Sequence, residues 1–369
     1  MSGLSALIFL PAFLYQILSI AACVRQRLRR AQPSAALPSV SILKPVRGLD
    51  PAMYAALRSQ AEQRYPEFEI LFGVSDGHDP AIPVIQQLQR DFPNLPIVLH
   101  VGSEPAANAK VGVLAHLSKF ARYPVWLVND SDIHVTPDYL SAVVAPLGDA
   151  GVGVVTCLYR PIGHSPASRW EAFGIAIDFM PSTLVAQLLG VREFGLGSTL
   201  CFRARELQSA GGFAVLADYI ADDYQLARRL VEPGRTAHLS RYIVETSLGD
   251  ASWRGVWQHQ LRWSRTIRAT KPAGFAGLPF SHAGVWALAA TCLHMPLIAG
   301  LLVAARIAAA LAGGWLVLRV DRNPVWALLA PVWDLCAFCV WAASYGSRSV
   351  LWRDRRLRIQ PDGRIENGH

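Results

Sequence analysis

The chain begins with a long apolar segment. Residues 4–24 hold about 20 apolar residues and no charged side chain, enough for a helix to cross the hydrocarbon core of a bilayer. Four arginines follow at once: Arg25, Arg27, Arg29 and Arg30. A cleaved signal peptide has the opposite order, with its basic residues before the apolar run. We therefore expect a retained membrane anchor whose C-terminal end lies in the cytoplasm, as the positive-inside rule predicts.

Between residues 39 and 250 the pattern changes to short apolar runs separated by polar, helix-like segments. The runs are rich in β-branched residues and end in turn residues; they cover 39–46, 67–76, 123–132 and 151–159. Patterns typical of helices lie between them, at 51–64 and 80–91. Strands that alternate with helices indicate an α/β domain with a mostly parallel sheet. Ligands of such sheets bind at the carboxyl ends of the strands.

Apolar segments return after residue 282. Residues 283–305 can span a membrane, and residues 324–345 can do so if Asp334 faces protein. Residues 307–318 between them are apolar but short. They fit a re-entrant or interfacial piece, or part of a further span with Arg306 snorkelling. Because the basic C-terminal end is expected in the cytoplasm, as is the end of the first anchor, the number of C-terminal spans must be even. We predict two, giving three in all.

Composition and charge support this division. The residues AVILMFWYC make up 52% of the 369 residues and DEKR only 17%, which argues against both an ordinary soluble protein and a disordered one. Residues 38–250 contain 17 basic and 22 acidic residues, whereas the two flanks contain 18 basic and 5 acidic ones. A nucleic-acid-binding protein carries its basic excess on the folded domain. Here it lies beside apolar segments, as in cytoplasmic juxtamembrane regions.

The chain is therefore expected to divide into six parts, read from the N-terminus. They are an N-terminal transmembrane anchor (1–24), a basic linker (25–38), a cytoplasmic catalytic domain (39–252), an interfacial segment (253–282), a C-terminal transmembrane region (283–347) and a basic cytoplasmic tail (348–369).

The strongest chemical signal is the sequence Asn-Asp-Ser-Asp at 129–132, directly after the apolar run Val-Trp-Leu-Val. Asp130 and Asp132 lie two residues apart on the loop that leaves a predicted strand. Carboxylate oxygens in this arrangement suit Mg²⁺ or Mn²⁺, and the diphosphate of a nucleotide can share the ion. Such an ion neutralises charge that develops on a departing diphosphate. The alternative is an acidic turn with no ligand.

Three further aspartates follow turn or helix signals. Asp76 ends an earlier strand; by itself it is a turn residue, and in context it can accept hydrogen bonds from a nucleoside. Asp222 and Asp223 stand at the start of a helical pattern, where the helix dipole favours a carboxylate. The helix dipole accounts for one of these two aspartates. The second can serve as a general base that removes a proton from an acceptor hydroxyl.

Residues 253–270 combine tryptophans and arginines just before the C-terminal apolar region. The simplest interpretation is an interfacial helix with aromatic anchors. A functional interpretation places two of its side chains at an active site. Arg262 can hold diphosphate oxygens and Trp263 can form a wall for the acceptor.

Taken together, these segments resemble a known family. In order, the chain contains SVSILKPVRGLDP, GVSDGHDPAI, NAK, VNDSDIHVTPDYL, AGGF, ADYIADDYQLA and LRWSRTIR. The ordered set, which covers about residues 39–272 and the flanking spans, resembles the ceramide glucosyltransferase-like enzymes, a group that includes the hopanoid-biosynthesis glycosyltransferases of bacteria. The resemblance implies the nucleotide-sugar-binding α/β fold of the glycosyltransferase A type. It also implies inverting transfer of a hexose from a UDP-sugar to a membrane lipid hydroxyl on the cytoplasmic face.

The resemblance also assigns roles to individual aspartates. Asp76 matches the family aspartate that contacts the nucleoside. Asp130 matches the second one, and Asp132 completes a metal-binding Asp-x-Asp. Asp223 matches the third, the catalytic base. Asp222 replaces a usual glutamate and is assigned to the acceptor or the diphosphate.

Other positions match the donor and acceptor regions of the family. Lys110 matches a lysine near the donor, and the turn of Pro45 and Arg47 lies under the base of the nucleotide. Arg262 and Trp263 match the final Arg-Trp pair. His259 stands where the family has Gln or Arg, three residues before that arginine, and can donate to a phosphate.

The sequence thus predicts a membrane enzyme that moves glucose or N-acetylglucosamine from a UDP-sugar to ceramide or a hopanoid polyol, with Mg²⁺ or Mn²⁺ as cofactor. Its expected location is the bacterial inner membrane, with no nucleic-acid partner. Three alternatives stay open: a processive polysaccharide synthase, a polyprenyl-phosphate sugar synthase, and a non-catalytic membrane-anchored protein that binds sugar nucleotides or lipids. A larger number of membrane spans would indicate a polysaccharide synthase. An acceptor that is already an anion, and so has less need of a base, would indicate a polyprenyl-phosphate sugar synthase. Loss of the carboxylates would indicate the non-catalytic protein.

Overall fold

The computed structural model describes residues 3–29, 37–50, 52–232, 234–320, 324–352 and 355–367. Arg30, which was used above to assign topology, lies outside the described residues, as do Arg353 of the basic C-terminal end and half of the predicted linker.

The N-terminal anchor is one continuous helical segment. A 3₁₀ turn at Gly3–Phe9 leads into α1 (Leu10–Leu28). The helix continues past the predicted boundary at residue 24 because its last turn packs on the globular domain. There Gln26 donates to the carbonyl of Ser240 at 2.9 Å, and Arg29 donates to that of Leu239 at 3.0 Å.

An eight-stranded sheet forms the centre of the globular domain. Its strands are β1 (Val40–Pro45), β2 (Phe68–Val74), β3 (Ile97–Val101), β4 (Val125–Val128), β5 (Ile133–His134), β6 (Val152–Gly163), β7 (Leu200–Arg203) and β8 (Thr236–Gly249). Their order is β3-β2-β1-β4-β7-β6-β8-β5. The pairs β2–β3, β1–β2, β1–β4 and β6–β8 are parallel, and the other three are antiparallel. The predicted mostly parallel sheet is confirmed.

Helices cover both faces of this sheet. They are α2 (Met53–Ala61), α3 (Ile82–Asp91), α4 (Ala109–Leu117), α5 (Tyr139–Val144), α6 (Pro166–Gly174), α7 (Met180–Leu188), α8 (Ala204–Ser209) and α9 (Asp222–Val231). Successive residues of β1 point to opposite faces: Ile42 belongs to one apolar core and Leu43 to the other. This alternation follows from the two-residue period of a strand. A π-helical turn at Ile175–Phe179 joins α6 to α7.

Within the described ranges, five further helices follow the domain. They are α10 (Trp253–Thr270), α11 (Pro272–Gly277), α12 (Ala283–Cys292), α13 (Pro296–Leu311) and α14 (Ala330–Ser344). A π turn at Ala312–Val317 extends α13, and a 3₁₀ turn at Pro324–Leu329 precedes α14. In the described residues, three helices are long and apolar enough to cross a membrane: Ala6–Leu28, Pro296–Val317 and Pro324–Ser344. The number of these candidate helices equals the predicted number of spans.

The predicted span at 283–305 is wrong. The chain leaves the helix after Cys292, His294 adopts a left-handed conformation with φ of 55°, and a new helix begins at Pro296. Proline lacks the N–H that an uninterrupted helix needs, and it disfavours helical geometry in the residue before it. The ten residues of α12 rise only about 15 Å, half of the bilayer core. Residues 307–318 belong to the long helix that follows.

Arg306 does not snorkel to the membrane surface. Its guanidinium is buried and bonds the carboxylate of Asp334 at 2.8–3.0 Å and the carbonyl of Ile177 at 3.1 Å. Asp334 is fully buried and therefore faces protein, as its segment required. A buried carboxylate in an apolar helix is tolerable when a cation and hydrogen bonds satisfy it. The pair thus joins α13 and α14.

The last residues form a small antiparallel sheet, where the sequence suggested only a basic tail. Its strands are β9 (Ser349–Trp352), β10 (Arg355–Ile359) and β11 (Ile365–Asn367), in the order β11-β10-β9. We call these strands the C-terminal sheet. It packs against the loop that precedes α9.

Candidate active site

A large cavity lies at the carboxyl ends of the central strands, enclosed by α6, α10 and the C-terminal sheet. Its volume is about 1020 Å³, at the upper end of the range for small-molecule sites. Most of the residues predicted to act line it: Pro45, Arg47, Lys110, Asp130, Asp132, Asp222, Asp223, His259, Arg262 and Trp263. The structure therefore brings together side chains that are separated by up to 218 residues.

Asp76 lies at the rim. Its neighbour Ser75 lines the cavity, whereas the side chain of Asp76 is 68% exposed. The Asp76 carboxylate accepts a hydrogen bond from the backbone N–H of His78 at 2.9 Å and lies 3.3 Å from the imidazole Nδ1 of that residue. These hydrogen bonds lower the pKa of Asp76. The geometry is that of a turn aspartate, and its contact with a nucleoside stays a prediction.

Asp130 directs its carboxylate into the cavity and is paired with Lys110. The Lys110 ammonium lies 2.8 Å from Oδ1 of Asp130 and 3.5 Å from Oδ2 of Asp222. Burial alone would lower the pKa of Lys110, but the two carboxylates outweigh burial and raise it. Lys110 therefore stays charged at the acidic end of the cavity. It is the second residue of α4, whose N-cap is the side chain of Asn108.

A second, fully buried lysine fixes the backbone of the same loop. Lys44 donates to the side chain of Asn129 at 2.8 Å and to the carbonyl of Asp130 at 2.9 Å. Burial lowers its pKa to about 7, although nearby aspartates oppose the change. Lys44 thus holds the loop of Asp130 and Asp132 against β1.

Asp132 is more enclosed than Asp130. Its Oδ2 accepts a hydrogen bond from the hydroxyl of Thr246, at the end of β8. Burial, and then the charge of Asp130, raise the pKa of Asp132 to about 6. Two negative charges held so close favour a bound cation.

The carboxylates of Asp130 and Asp132 fit a cation whose remaining ligands come from a substrate and water. In the described part of the chain, no group of three or more His, Cys, Asp or Glu side chains is arranged to hold a metal ion. Proteins commonly bind Mg²⁺ through one or two carboxylates, with substrate phosphates and water as the other ligands. Asp130 and Asp132 meet that requirement, and Mn²⁺ takes the same oxygen ligands.

Asp223 lies opposite this pair, in the first turn of α9. Its Oδ2 accepts from the backbone N–H of Gly197 at 3.1 Å, and its Oδ1 from that of Tyr224 at 2.7 Å. Burial, followed by the charge of Asp222, raises the pKa of Asp223 to about 6. A carboxylate with this pKa is ionised at neutral pH and is a stronger base than an ordinary aspartate.

Asp222 points away from that position and towards Lys110. It is buried, and the amide of Asn108 lies 3.4 Å from its Oδ1. The two adjacent carboxylates therefore have different surroundings. The roles of the two residues, with Asp223 as the catalytic base, stay predictions.

Gly197 leaves open the space between the charged groups. A Cβ atom there would lie 3.3 Å from Oδ2 of Asp130, 3.7 Å from Oδ2 of Asp223 and 3.7 Å from the Lys110 ammonium. The backbone of Gly197 is not in the left-handed region, so the conformation itself tolerates alanine. The absence of a side chain thus keeps the centre of the site accessible.

We expect Gly197→Ala to lower kcat/KM by about tenfold or more, which corresponds to about 1.4 kcal/mol, because the added methyl group occupies space needed by the donor. The effect should be mainly in the KM for the nucleotide sugar, with little change in thermal stability. Gly148→Ala is the matched control, since a Cβ at Gly148 meets nothing within 4 Å. Equal kinetics for the two variants would contradict the assignment.

α10 supplies the opposite wall. His259 and Arg262 lie three residues apart, on one face of the helix. Burial lowers the pKa of the Arg262 guanidinium, and the charge of Asp130 opposes this change. Trp263 packs against the imidazole of His259, with ring centroids 4.6 Å apart, and against Phe179 at 5.0 Å. Arg262 thus faces the acidic end, and Trp263 belongs to an aromatic wall.

Sequence reasoning missed the partner of His259. The buried carboxylate of Glu171, on α6, accepts from Nδ1 of His259 at 2.6 Å and from the amide of Gln260 at 2.7 Å. His259 lines the cavity, and with Nδ1 engaged its other ring nitrogen is the one left to contact a ligand. The only sequence signal was an acidic residue in an otherwise apolar segment, Glu-Ala-Phe-Gly-Ile-Ala-Ile. Nothing in that signal names a partner 88 residues away.

Comparison with known proteins gives a family match over nearly the whole chain. The model of glycosyl transferase family 21 matches residues 4–365. Ceramide glucosyltransferase 1 of Caenorhabditis elegans is 28% identical over 277 residues, which cover 73% of this chain and 59% of that protein. The ceramide glucosyltransferase of Komagataella phaffii is 34% identical over 113 residues, or 29% of this chain and 22% of the relative. The chain thus spans about three fifths of the length of the nematode relative.

A solved structure shares the fold. The mannosyltransferase PcManGT from Pyrobaculum calidifontis, in complex with GDP-Man and Mn²⁺, has a TM-score of 0.54 at 18% identity, and the match covers 92% of this chain and 89% of that one. The predicted glycosyltransferase A type fold is confirmed.

Proposed function

The chain belongs to glycosyl transferase family 21, and on that premise we propose that it transfers a hexose from a UDP-sugar to a hydroxyl group of a membrane lipid. The resemblance found in the sequence is thereby confirmed at the level of the family. The donor, the acceptor and the roles of individual residues are parts of the proposal.

One observation carries it: a single cavity joins a carboxylate-rich end to an aromatic and apolar end. Asp130, Asp132 and Asp223 stand at the first, and Trp263 and Phe179 at the second. A diphosphate with its cation suits the acidic end, and the apolar end suits a lipid. Since α10, which carries Trp263, leads into the apolar helices, an acceptor can reach the cavity from a membrane.

The chemistry is a single displacement. Asp223 takes the proton of the acceptor hydroxyl, whose oxygen forms a bond to C1 of the sugar while the bond from C1 to the diphosphate oxygen breaks. UDP leaves with the electron pair of that bond, and an α-linked donor gives a β-glycoside. Asp130 and Asp132 would hold Mg²⁺ or Mn²⁺, which when bound neutralises charge on the departing diphosphate. PcManGT, whose fold is shared, has Mn²⁺ in its complex.

The other residues of the cavity bind and orient the substrates. We assign Lys110, Arg262 and His259 to the diphosphate, because all three line the cavity and each offers a nitrogen donor. Pro45 and Arg47 line the part of the cavity at the end of β1, where the base of the nucleotide is proposed to lie, with Asp76 at the rim.

The acceptor is proposed to be ceramide or a hopanoid polyol, and the sugar glucose or N-acetylglucosamine. The test is to incubate membranes containing the protein with radiolabelled UDP-glucose or UDP-N-acetylglucosamine, each lipid in turn, and to identify the labelled product. Membranes with Asp223→Asn serve as the control. Label in a lipid hydroxyl glycoside supports the proposal. Label only in a polymer or a polyprenyl phosphate, or none at all, would contradict it.

The proposed location is the bacterial inner membrane, with the catalytic domain on the cytoplasmic face. Two contacts support the proposal that the end of α1 and the C-terminal sheet lie on the same side of the membrane as the catalytic domain. The last turn of α1 bonds the carbonyl of Ser240, and the backbone of Arg364 in the C-terminal sheet pairs with Tyr219 of the same domain.

We therefore expect a phosphatase reporter fused after His369 to be inactive, because basic clusters beside short loops resist translocation. The same reporter fused before Met1 should be active in the periplasm if α1 crosses the membrane once. Both fusions are compared at equal expression, measured by immunoblot. An active reporter after His369 would reject this topology.

A further inference from the structure

We infer that the C-terminal sheet is part of the active site, holding the loop before Asp222 and Asp223 in place and forming a wall for the apolar part of the acceptor. The wall function rests on the proposed lipid acceptor, whereas the positioning function does not. Residues 217–221 are called the acidic-pair loop below.

Backbone hydrogen bonds join the C-terminal sheet to the acidic-pair loop. Ile365 donates to the carbonyl of Asp218 at 2.7 Å, and Ile220 donates to the carbonyl of Gly363 at 3.2 Å. Between them, Tyr219 and Arg364 form an antiparallel bridge, and the Arg364 guanidinium lies 5.6 Å from the centre of the Tyr219 ring. The loop is thus bonded as an additional strand would be.

An apolar cluster lies under these bonds. Ile220 is buried together with Val350, Leu357, Ile359 and Ile365 of the C-terminal sheet. Two small residues from other walls of the cavity pack against the same cluster: Ala107, just before the cap of α4, and Ala269 of α10. The cluster therefore ties the loop to both sides of the site.

The acidic-pair loop transmits its position to the charged groups. Asn108 donates from its backbone to the carbonyl of Ala217 at 2.8 Å, and from its side chain to the carbonyl of Tyr219 at 2.8 Å. The same side chain caps α4, and Lys110 lies in the first turn of that helix. Displacement of the loop would therefore move the acidic pair relative to Lys110 and Asp130.

Arginines of α10 hold the edge strand β9 of the C-terminal sheet and the segment that leads into it. Arg265 donates to the carbonyl of Ser349 at 2.6 Å. Arg268 donates to the carbonyls of Ser344 and Ser347 at 2.5 and 2.9 Å. Because α10 also carries Arg262 and Trp263, the sheet bridges the catalytic-base side of the cavity and its aromatic wall.

Two leucines of the C-terminal sheet reach the cavity itself. Leu351 is 54% exposed and Leu357 is buried, and both line the cavity with Ile267 of α10. A half-exposed leucine that faces a cavity gains from contact with an apolar ligand, since burial of its surface removes it from water. The proposed ligand is the hydrocarbon portion of the lipid acceptor, next to its reacting hydroxyl.

The positioning function is tested with Ile359→Ala, which removes part of the cluster, and Arg358→Ala, an exposed neighbour in the same strand, as its control. We expect Ile359→Ala to lower kcat for UDP release from the UDP-sugar at least tenfold while UDP affinity by calorimetry stays within twofold. Ile359→Val should restore most of the rate. A parallel loss of UDP affinity, or equal rates for the two alanine variants, would overturn the inference.

The wall function is tested with Leu351→Trp against Leu351→Met. The tryptophan should raise the KM for a long-chain acceptor at least fivefold and that for a short-chain analogue less, with the KM for the UDP-sugar unchanged. An unchanged acceptor KM would overturn this part. If the unsubstituted protein labels no lipid, the proposed function fails. UDP release by Ile359→Ala and Arg358→Ala then still decides the positioning inference, and the wall assignment is rejected.

Discussion

Asp223→Asn should lower turnover by about 10²- to 10⁴-fold, the range typical of general acid–base catalysis, and leave the affinity for UDP unchanged. Asparagine keeps the size of the side chain and can accept one of the two hydrogen bonds that Gly197 and Tyr224 donate to separate carboxylate oxygens, but it cannot take a proton. The donor is proposed to be held elsewhere, by Asp130, Asp132 and Arg262. The variant should therefore fail at the chemical step alone.

Two measurements on the same preparation check this: UDP affinity by calorimetry and turnover with the lipid acceptor. Asp222→Asn is the matched control, since its carboxylate faces Lys110 and Asn108 and should matter less. Near-normal turnover of Asp223→Asn together with an inactive Asp222→Asn would show that Asp223 is not the general base. Activity in both variants would reject the mechanism.

The pH profile gives a further check on the same residue. The pKa of Asp223 is raised to about 6, so the base form is present above that pH and is lost as the pH falls through it. Turnover of the unsubstituted protein should therefore decline below about pH 6. Because the pKa of Asp132 is raised to a similar value, the profile of Asp223→Asn should keep whatever decline comes from Asp132. An identical profile in both proteins would contradict a role for Asp223 as base.

Removal of divalent cations should abolish turnover, and Asp130→Asn should lower it by about 10²-fold or more. Loss of a group that stabilises charge on a leaving diphosphate has effects of this order. Asp132→Asn should be milder, because Thr246 already engages one of its oxygens, whereas Asp130 faces the cavity beside Gly197 and also pairs with Lys110.

The measurement is turnover against Mn²⁺ or Mg²⁺ concentration after treatment with a chelator. Asp91→Asn is a suitable control, since that carboxylate lies at the end of α3 and bonds Tyr54 and Gln87, away from the cavity. The control should keep the metal dependence of the unsubstituted protein. Full turnover in excess chelator would remove the metal from the mechanism.

Much of the site could be predicted because its residues follow local signals. Asp130 and Asp132 come directly after a buried strand, so their place at the carboxyl end of the central strands follows from the position of β4 alone. The tryptophan- and arginine-rich segment at 253–270 becomes a single helix with the same limits. In both cases a short stretch of sequence contains the information that determines its structure.

The errors have a different origin. Apolarity alone suggested a span at 283–305, although Pro296 within it is a local signal for a break. Snorkelling of Arg306 was one of the interpretations left open, because its partner Asp334, 28 residues away, could not be identified from spacing. The basic residues of 348–369 concealed strands whose buried face is Val350, Leu357, Ile359 and Ile365.

The sequence by itself determined the elements, the apolar segments and the set of carboxylates, since hydrophobic period, turn residues and charge act over a few neighbouring positions. Only the tertiary structure decided which of these groups meet. Lys110 pairs with Asp130, Glu171 holds His259, and the C-terminal sheet holds the loop before Asp222 because helices and strands far apart in the chain pack together. Such pairings depend on the relative placement of whole elements, which no local pattern encodes.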